Sequence, residues 1–164
     1  MLRAAPLLLA LSSLSLLGGA FAFEIFGGLD PCPLCLWQRW PHGAVIILAL
    51  GAFLLDRSGR RTAAAVVLLA AGGVLAAGVG IAFFHVGVEQ GWWPGLAACT
   101  AAPAGATVEE LAQALASQPA SCDQVAWSLL GLSMAAYNGL LSAGLALFAL
   151  LAAGQRLTTG RRPS

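Results

Sequence analysis

Four long stretches of this chain contain no Asp, Glu, Lys or Arg, and they decide its fold class before any motif is considered. They run from about Leu7 to Phe23, Pro41 to Leu55, Thr62 to Phe84 and Trp127 to Ala153. A helix needs roughly 17–25 apolar residues to cross a bilayer. The third and fourth stretches meet that outright. The first and second meet it once interfacial ends are included, the second from Trp37 onward. Helices are required because an open set of strands leaves backbone groups unsatisfied in lipid. Charged residues make up only 9% of the sequence, against about 25% in soluble domains, so an ordinary water-soluble domain is excluded. The expectation is one all-α integral membrane domain over residues 1–164, a four-transmembrane-helix bundle. Its spans are 7–23, 37–55, 62–84 and 127–153, with outer loops 24–36 and 85–126.

The arginines orient this bundle. There is no lysine, and the basic residues are Arg3, Arg39, Arg57, Arg60, Arg61, Arg156, Arg161 and Arg162. With both termini on one side, all but Arg39 fall on that side. The positive-inside rule makes it cytoplasmic. Both cysteine-bearing loops then face outward. Glu24, Asp30, Glu89, Glu109, Glu110 and Asp123 also fall outside and Asp56 inside, although acids carry little topological weight. A cleaved signal peptide ending at Ala20-Phe21-Ala22 is the alternative for the first stretch. It would leave three spans and the other loops unchanged, but the long apolar run and the charge pattern favour a retained helix. No basic stripe interleaved with aromatics supports a nucleic-acid surface.

The connections carry their own signals. Asp56 to Arg61 is a tight polar turn, and Glu24 to Pro33 is a short loop rich in Gly and Pro. Within the long loop, Val108 to Gln118 reads as a short amphipathic helix. Thr107 is placed to cap it, with Glu110 three residues on. Val108, Leu111, Ala112 and Leu115 share one face, which suits either the membrane surface or the rest of the domain. Trp37, Trp40, Trp92, Trp93 and Trp127 fall near outer boundaries, as an aromatic belt does. Gly72, Gly73, Gly78 and Gly80, with Gly131, Gly139 and Gly144, are read as sites of close helix contact. Pro41-His42 bends or starts the second span, and His42 is not read as a ligand.

Cys32-Pro33-Leu34-Cys35 lies between the first two spans. Two thiolates at this spacing share a metal or close a small disulfide that takes part in exchange. Cys99 and Cys122 would be needed to complete a four-thiolate site, yet their wide separation is no zinc-knuckle pattern, and an outward face is oxidising. No metal is therefore assigned. Leu36, where a haem attachment motif needs His, excludes that use. A membrane interaction protein with two static disulfides stays open beside a redox relay. Arg39 shares a helix face with Cys35, one turn on. Its cation can lower a thiol pKa, bind a polar carbonyl head, or simply reach for lipid headgroups. Cys99 lies in Ala- and Pro-rich sequence with little to pack, where a thiol could reach a soluble partner. Nothing in the residues fixes which thiol attacks first.

Pro31-Cys32-Pro33-Leu34-Cys35-Leu36-Trp37-Gln38-Arg39 resembles the signature of the bacterial disulfide bond formation protein B family. Cys122-Asp123-Gln124 with Trp127, Gly131 to Ala135 and Tyr137-Asn138 resemble its entry to the fourth span, and His85 with Gly87, Val88 and Glu89 its exit from the third. The resemblance implies a multi-pass protein of the bacterial inner membrane with periplasmic cysteine loops. It implies that Cys32 and Cys35 are the quinone-proximal pair, Cys35 touching the quinone directly, and that Arg39 supports quinone reduction. His85 would be a quinone-site histidine. Cys99 would form the mixed disulfide with the periplasmic thioredoxin-like disulfide bond formation protein A, and Cys122 would exchange with Cys32. The implied activity is thiol–quinone oxidoreduction, with ubiquinone or menaquinone as cofactor. A paralogue serving one dedicated substrate is the alternative within the same chemistry.

Overall fold

The computed structural model describes residues 4–97, 107–110 and 120–159. Four long helices dominate it: α1 (Ala5–Ile25), α2 (Pro33–Arg57), α3 (Arg61–Glu89) and α4 (Met134–Thr159). All four are long and apolar enough to cross a membrane. The chain is thus an all-α multi-pass membrane protein, as the uncharged stretches require.

Local chemistry sets the helix ends. Pro6 and Pro33 sit in the first turns of α1 and α2, where a fixed φ fits and a missing N–H costs nothing. Gly59, at φ +79, closes α2: the Arg60 N–H reaches Leu55 O and the Gly59 N–H reaches Asp56 O, at 3.0 and 3.1 Å. That paired pattern is a Schellman cap, and it makes the α2–α3 turn tight. The same cap recurs at Gly91 (φ +69), where the Trp92 N–H bonds Gly87 O at 2.8 Å. It turns Trp92 and Trp93 back over the end of α3.

The fourth apolar stretch begins differently from expectation. Ser128–Leu129 pairs antiparallel with Leu132–Ser133, β1 and β2, across a turn at Leu130 and Gly131. Both turn residues have positive φ, which is what a tight two-residue hairpin demands. Gly131 therefore serves a turn and not a helix contact. The Ser133 hydroxyl accepts the Ala136 N–H at 3.2 Å, capping α4 so that it starts at Met134 and not near Trp127. In the long loop, Thr107 Oγ1 accepts the Glu110 N–H and Glu110 Oε2 accepts the Thr107 N–H, both at 3.2 Å. This is the anticipated capping box; residues 111–119 of the expected helix lie outside the described residues.

The helices pack in sequence order, α1 on α2, α2 on α3 and α3 on α4, while α1 touches α4 only lightly. The buried seam is built largely of alanine, with Leu9, Val45, Leu68 and Leu75 among it. Close approach follows from missing side chains at three of the expected glycines. Gly72 faces Leu150, Gly78 faces Pro41 and Gly139 faces Ala82, each within 3.2 Å of an added Cβ. Gly73, Gly80 and Gly144 face open space instead. Leu8, Leu11, Ile47, Leu54, Phe83, Leu147 and Leu151 are exposed on the outside, the arrangement lipid favours. Trp37, Trp40 and Trp92 are exposed as a belt residue would be, but Trp127 packs on Phe23 and Tyr137. At the end away from Cys32, Arg156 Nη2 lies 2.5 Å from Asp56 Oδ2 and ties α4 to α2.

Candidate active site

Cys32 is the N-cap of α2 and Cys35 sits in its first turn, so one helical turn places both sulfurs on one side. Both are free thiols, with sulfurs 2.8 Å apart. The backbone N–H of Cys35 also donates to Cys32 Sγ at 3.1 Å. Cys32 is buried and its thiol pKa is pushed well above the ordinary value. The hydrogen bond with Cys35 is the main cause and burial the next.

His85, from the last turns of α3, places Nε2 3.6 Å from Cys32 Sγ. Glu89, one turn further, has Oε1 3.9 Å from the same nitrogen and its carboxylate hydrogen-bonds Ser133. A backbone group of Cys122 lies against the His85 ring. Cys122 itself is disulfide-bonded and fully buried, in one cluster with Cys32, Leu34 and Val88.

A buried chain of polar side chains leads away from His85 across the bundle. Gln38 Nε2 lies 3.3 Å from Leu34 O, and a carbonyl can only accept, so this atom is the amide donor. The rest follows from that one assignment. Gln38 Nε2 donates to His85 Nδ1 at 2.7 Å, leaving the His85 proton on Nε2, the nitrogen facing Cys32. Asn138 Nδ2 donates to Gln38 Oε1 at 2.7 Å. Asn138 Oδ1 must then accept from His42 Nε2, 2.8 Å away. Every link donates in the same direction, from His42 toward Cys32. Among the described residues, the buried His42 Nδ1 has no hydrogen-bond partner.

This chain borders a largely apolar cavity of about 400 Å³ between α1, α2, α4 and the hairpin. Cys35, Gln38, Arg39 and His42 form its α2 wall, an i, i+3, i+4, i+7 stripe. Phe23, Trp127 and Tyr137 supply aromatic walls. A second hollow of about 530 Å³ shares Ser15, Leu16 and Leu141 with the first and continues the α1–α4 seam. Arg39 is no free cation: its Nη1 lies 2.6 Å from Glu24 Oε2, and its guanidinium sits 4.6 Å over the Phe21 ring.

The structure thus brings Cys32, Cys35 and His85 together, sets Arg39 on the adjoining cavity wall, and places Cys122 beside Cys32. Cys99 lies outside the described residues. The two Cys sulfurs and a His85 nitrogen lie within 4.8 Å of one another, a spacing a thiophilic cation could bridge. The sequence alone does not single out Glu24, Gln38 or Asn138 as site residues, and it reads His42 as no ligand. Two signals were available: the helical spacing of positions 35, 38, 39 and 42, and a lone Asn inside an apolar stretch, where polar residues are costly.

A family model described as disulfide bond formation protein DsbB matches residues 2–152. A disulfide bond formation protein B of Xanthomonas campestris pv. campestris (strain 8004) is 34% identical over 157 residues, covering 92% of this chain and 89% of that protein. One from Methylococcus capsulatus is 34% identical over 143 residues, covering 84% and 85%. The uncharacterized protein RP370 of Rickettsia prowazekii is 30% identical over 146 residues, covering 87% and 82%. No solved structure matches.

Proposed function

The chain belongs to the DsbB family of disulfide bond formation proteins, and from that membership we propose that it oxidises a periplasmic thioredoxin-like dithiol oxidase and passes the electrons to a membrane quinone. The observation that carries this reading is the position of Cys35: its sulfur is 2.8 Å from Cys32, and it lines an apolar cavity in the membrane-spanning bundle. A dithiol that touches such a cavity suits a lipid-soluble electron acceptor. The termini would be cytoplasmic and the dithiol end periplasmic, which puts Arg57, Arg60, Arg61 and Arg156 inside.

The residues present fit a quinone. The cavity is apolar enough for the ring and its tail, and Arg39 on its wall offers N–H donors to a carbonyl oxygen. When bound, a quinone takes up two electrons and two protons, chemistry that belongs to it and not to the protein. The protein's work is to shape the thiols. His85 Nε2–H faces Cys32 and steadies negative charge there when exchange exposes a thiolate. Arg39 supplies positive charge on the cavity wall where an oxygen gains it. Cys99 would meet the partner, and Cys122, packed in the Cys32 cluster, would hand the oxidation between pairs.

Purified protein, fed a reduced thioredoxin-like partner, is expected to reduce added short-chain quinone. Cys35→Ala should abolish that turnover. Cys122→Ser should accumulate partner linked through Cys99. Turnover surviving in Cys35→Ala, or partner captured at another cysteine, would sink the assignment. The placement of the Cys32–Cys35 pair against the apolar cavity favours this reading over a protein with two static disulfides.

A further inference from the structure

Gln38 follows Cys35 by less than one turn of α2 and is buried, with its amide in the middle of the polar chain. Leu34 O, 3.3 Å from Nε2, fixes how that amide points, because a carbonyl can only accept. Asn138 Nδ2 holds the amide oxygen in turn, at 2.7 Å. Nε2 then presents its other N–H to His85 Nδ1, 2.7 Å away. A ring nitrogen that accepts carries no hydrogen, so the neutral His85 ring keeps its one hydrogen on Nε2. That hydrogen lies where the two cysteine pairs meet. Cys32 Sγ is 3.6 Å from Nε2, Glu89 Oε1 is 3.9 Å from it, and a backbone group of Cys122 lies against the ring.

We propose that Gln38 is a positioning residue for disulfide exchange: by donating to His85 Nδ1 it makes His85 a hydrogen-bond donor toward Cys32 and denies it the role of a base. The inference rests on the reading that oxidation passes between the Cys32–Cys35 and Cys99–Cys122 pairs. A histidine acts as base on a neighbouring nucleophile when its far nitrogen carries a hydrogen held by an acceptor. Gln38 offers that nitrogen a donor instead. Were Nε2 to take the Cys32 proton, the ring would become a cation with its Nδ1–H set against the Gln38 N–H. The ring therefore stays a donor, and a donor stabilises negative charge on a sulfur.

The exchange balances with His85 unchanged. Cys122 Sγ attacks Cys32, and Cys35 leaves with the electron pair of their bond. Cys99 Sγ then attacks Cys122, and Cys32 leaves with the electron pair of the mixed disulfide. Two electrons have moved from the Cys99 and Cys122 thiols to Cys32 and Cys35, and two protons follow through the aqueous phase. The His85 Nε2–H faces Cys32 while that sulfur carries the charge, and gives up no proton to it.

The test reads the imidazole directly. The chain has two histidines, so nitrogen NMR of full-length protein labelled at histidine resolves two rings, and the His85 signals are those lost in His85→Leu. Wild-type protein is expected to show His85 with hydrogen on Nε2 and a bare Nδ1. Gln38→Glu, the same shape with an acceptor replacing the donor, should place hydrogen on Nδ1. A pH titration then follows Cys32 in a Cys35→Ala background by ultraviolet thiolate absorbance, which needs no reagent to enter. Arg39 and Glu89, the charged groups that act on the cysteine pair from α2 and α3, are the same in every variant. Adding Gln38→Glu should bring the Cys32 midpoint down by about one pH unit, a tenfold gain in thiolate, because His85 has become a base. Gln38→Met, which removes the donor and supplies no acceptor, should move it by less than about half a unit. A packing role would rank the two the other way, since Glu keeps the shape of Gln. Hydrogen on Nδ1 in wild-type protein, or a Glu variant whose midpoint is no lower than that of the Met variant, overturns the proposal. Exchange with a reduced thioredoxin-like partner tests the underlying reading separately. If wild-type protein exchanged no disulfide, the proposed function would fall, and this role of Gln38 with it, whatever the histidine spectrum showed.

Discussion

Arg39 Nη1 lies 2.6 Å from Glu24 Oε2, so the cation on the cavity wall is held by a carboxylate from the preceding helix. The guanidinium is largely buried and stacked on Phe21, whereas Glu24 is about one-third exposed. Water therefore screens the pair in part.

Removing Arg39 should hurt the quinone half-reaction more than thiol exchange. Glu24→Ala should raise the quinone KM several-fold by letting the guanidinium wander. The two effects should not add. A double-mutant cycle should give a coupling of about 1 kcal/mol, typical of a part-exposed pair. Full additivity would mean that Glu24 does not position Arg39.

Cys32 should react as a thiolate at higher pH than an ordinary thiol in the reduced protein, since its hydrogen bond with Cys35 and its burial both hold the proton. The raised pKa contributes stability that is complete below the ordinary thiol value, about 8.5, and is lost as pH climbs through the folded value. Cys35→Ala removes the larger cause and leaves burial. The pH profile of Cys32 alkylation should move down but stay above that of a free thiol. An unchanged profile would contradict the ranking of causes.

Arg156→Leu should cost about 3 kcal/mol, because it strands a mostly buried Asp56. The double variant Arg156→Leu with Asp56→Leu should recover most of that loss. Thermal unfolding in detergent gives the measurement. A double variant as unstable as the single would show that the pair matters through its shape and not its charge.

Gly87→Ala should act on the cysteines without touching them. A Cβ there would fall 2.0 Å from Trp93 Cζ2. The indole would have to leave its stacking on Phe84 and the Nε1–H bond to Phe84 O, 3.0 Å long. Trp93 packs against the cluster of Cys32 and Cys122. Red-shifted fluorescence relative to a Trp93→Phe control, with slower exchange between the pairs, is expected. Normal exchange after the ring has moved would separate the indole from the relay.

The length of the uncharged apolar stretches was enough to read the four helices, because lipid leaves a chain few choices. The Thr107–Glu110 box was legible for a similar reason: its partners are three residues apart. The dithiol was legible too, since Cys32 and Cys35 share one turn. What could not be read was the buried polar chain. Its hydrogen bonds join Gln38 to His85 and His42 to Asn138, residues far apart in sequence. Helical spacing puts Gln38 and His42 on one stripe but says nothing of the helix that stripe will meet. The later start of α4 was hidden similarly, because Trp127 to Ser133 is as apolar as the helix it precedes.

The light contact between α1 and α4 has a kinetic meaning. The two hollows that share Ser15, Leu16 and Leu141 lie along that seam, edged by side chains suited to hydrocarbon. A guest that slips in between these helices diffuses in two dimensions and arrives from a reservoir where greasy molecules are concentrated. Its encounter rate then depends on how much of it the bilayer stores, and scarcely on how much dissolves in water. On the proposed function a soluble dithiol would meet the same protein from the aqueous side, and the two reactants would not compete for one doorway.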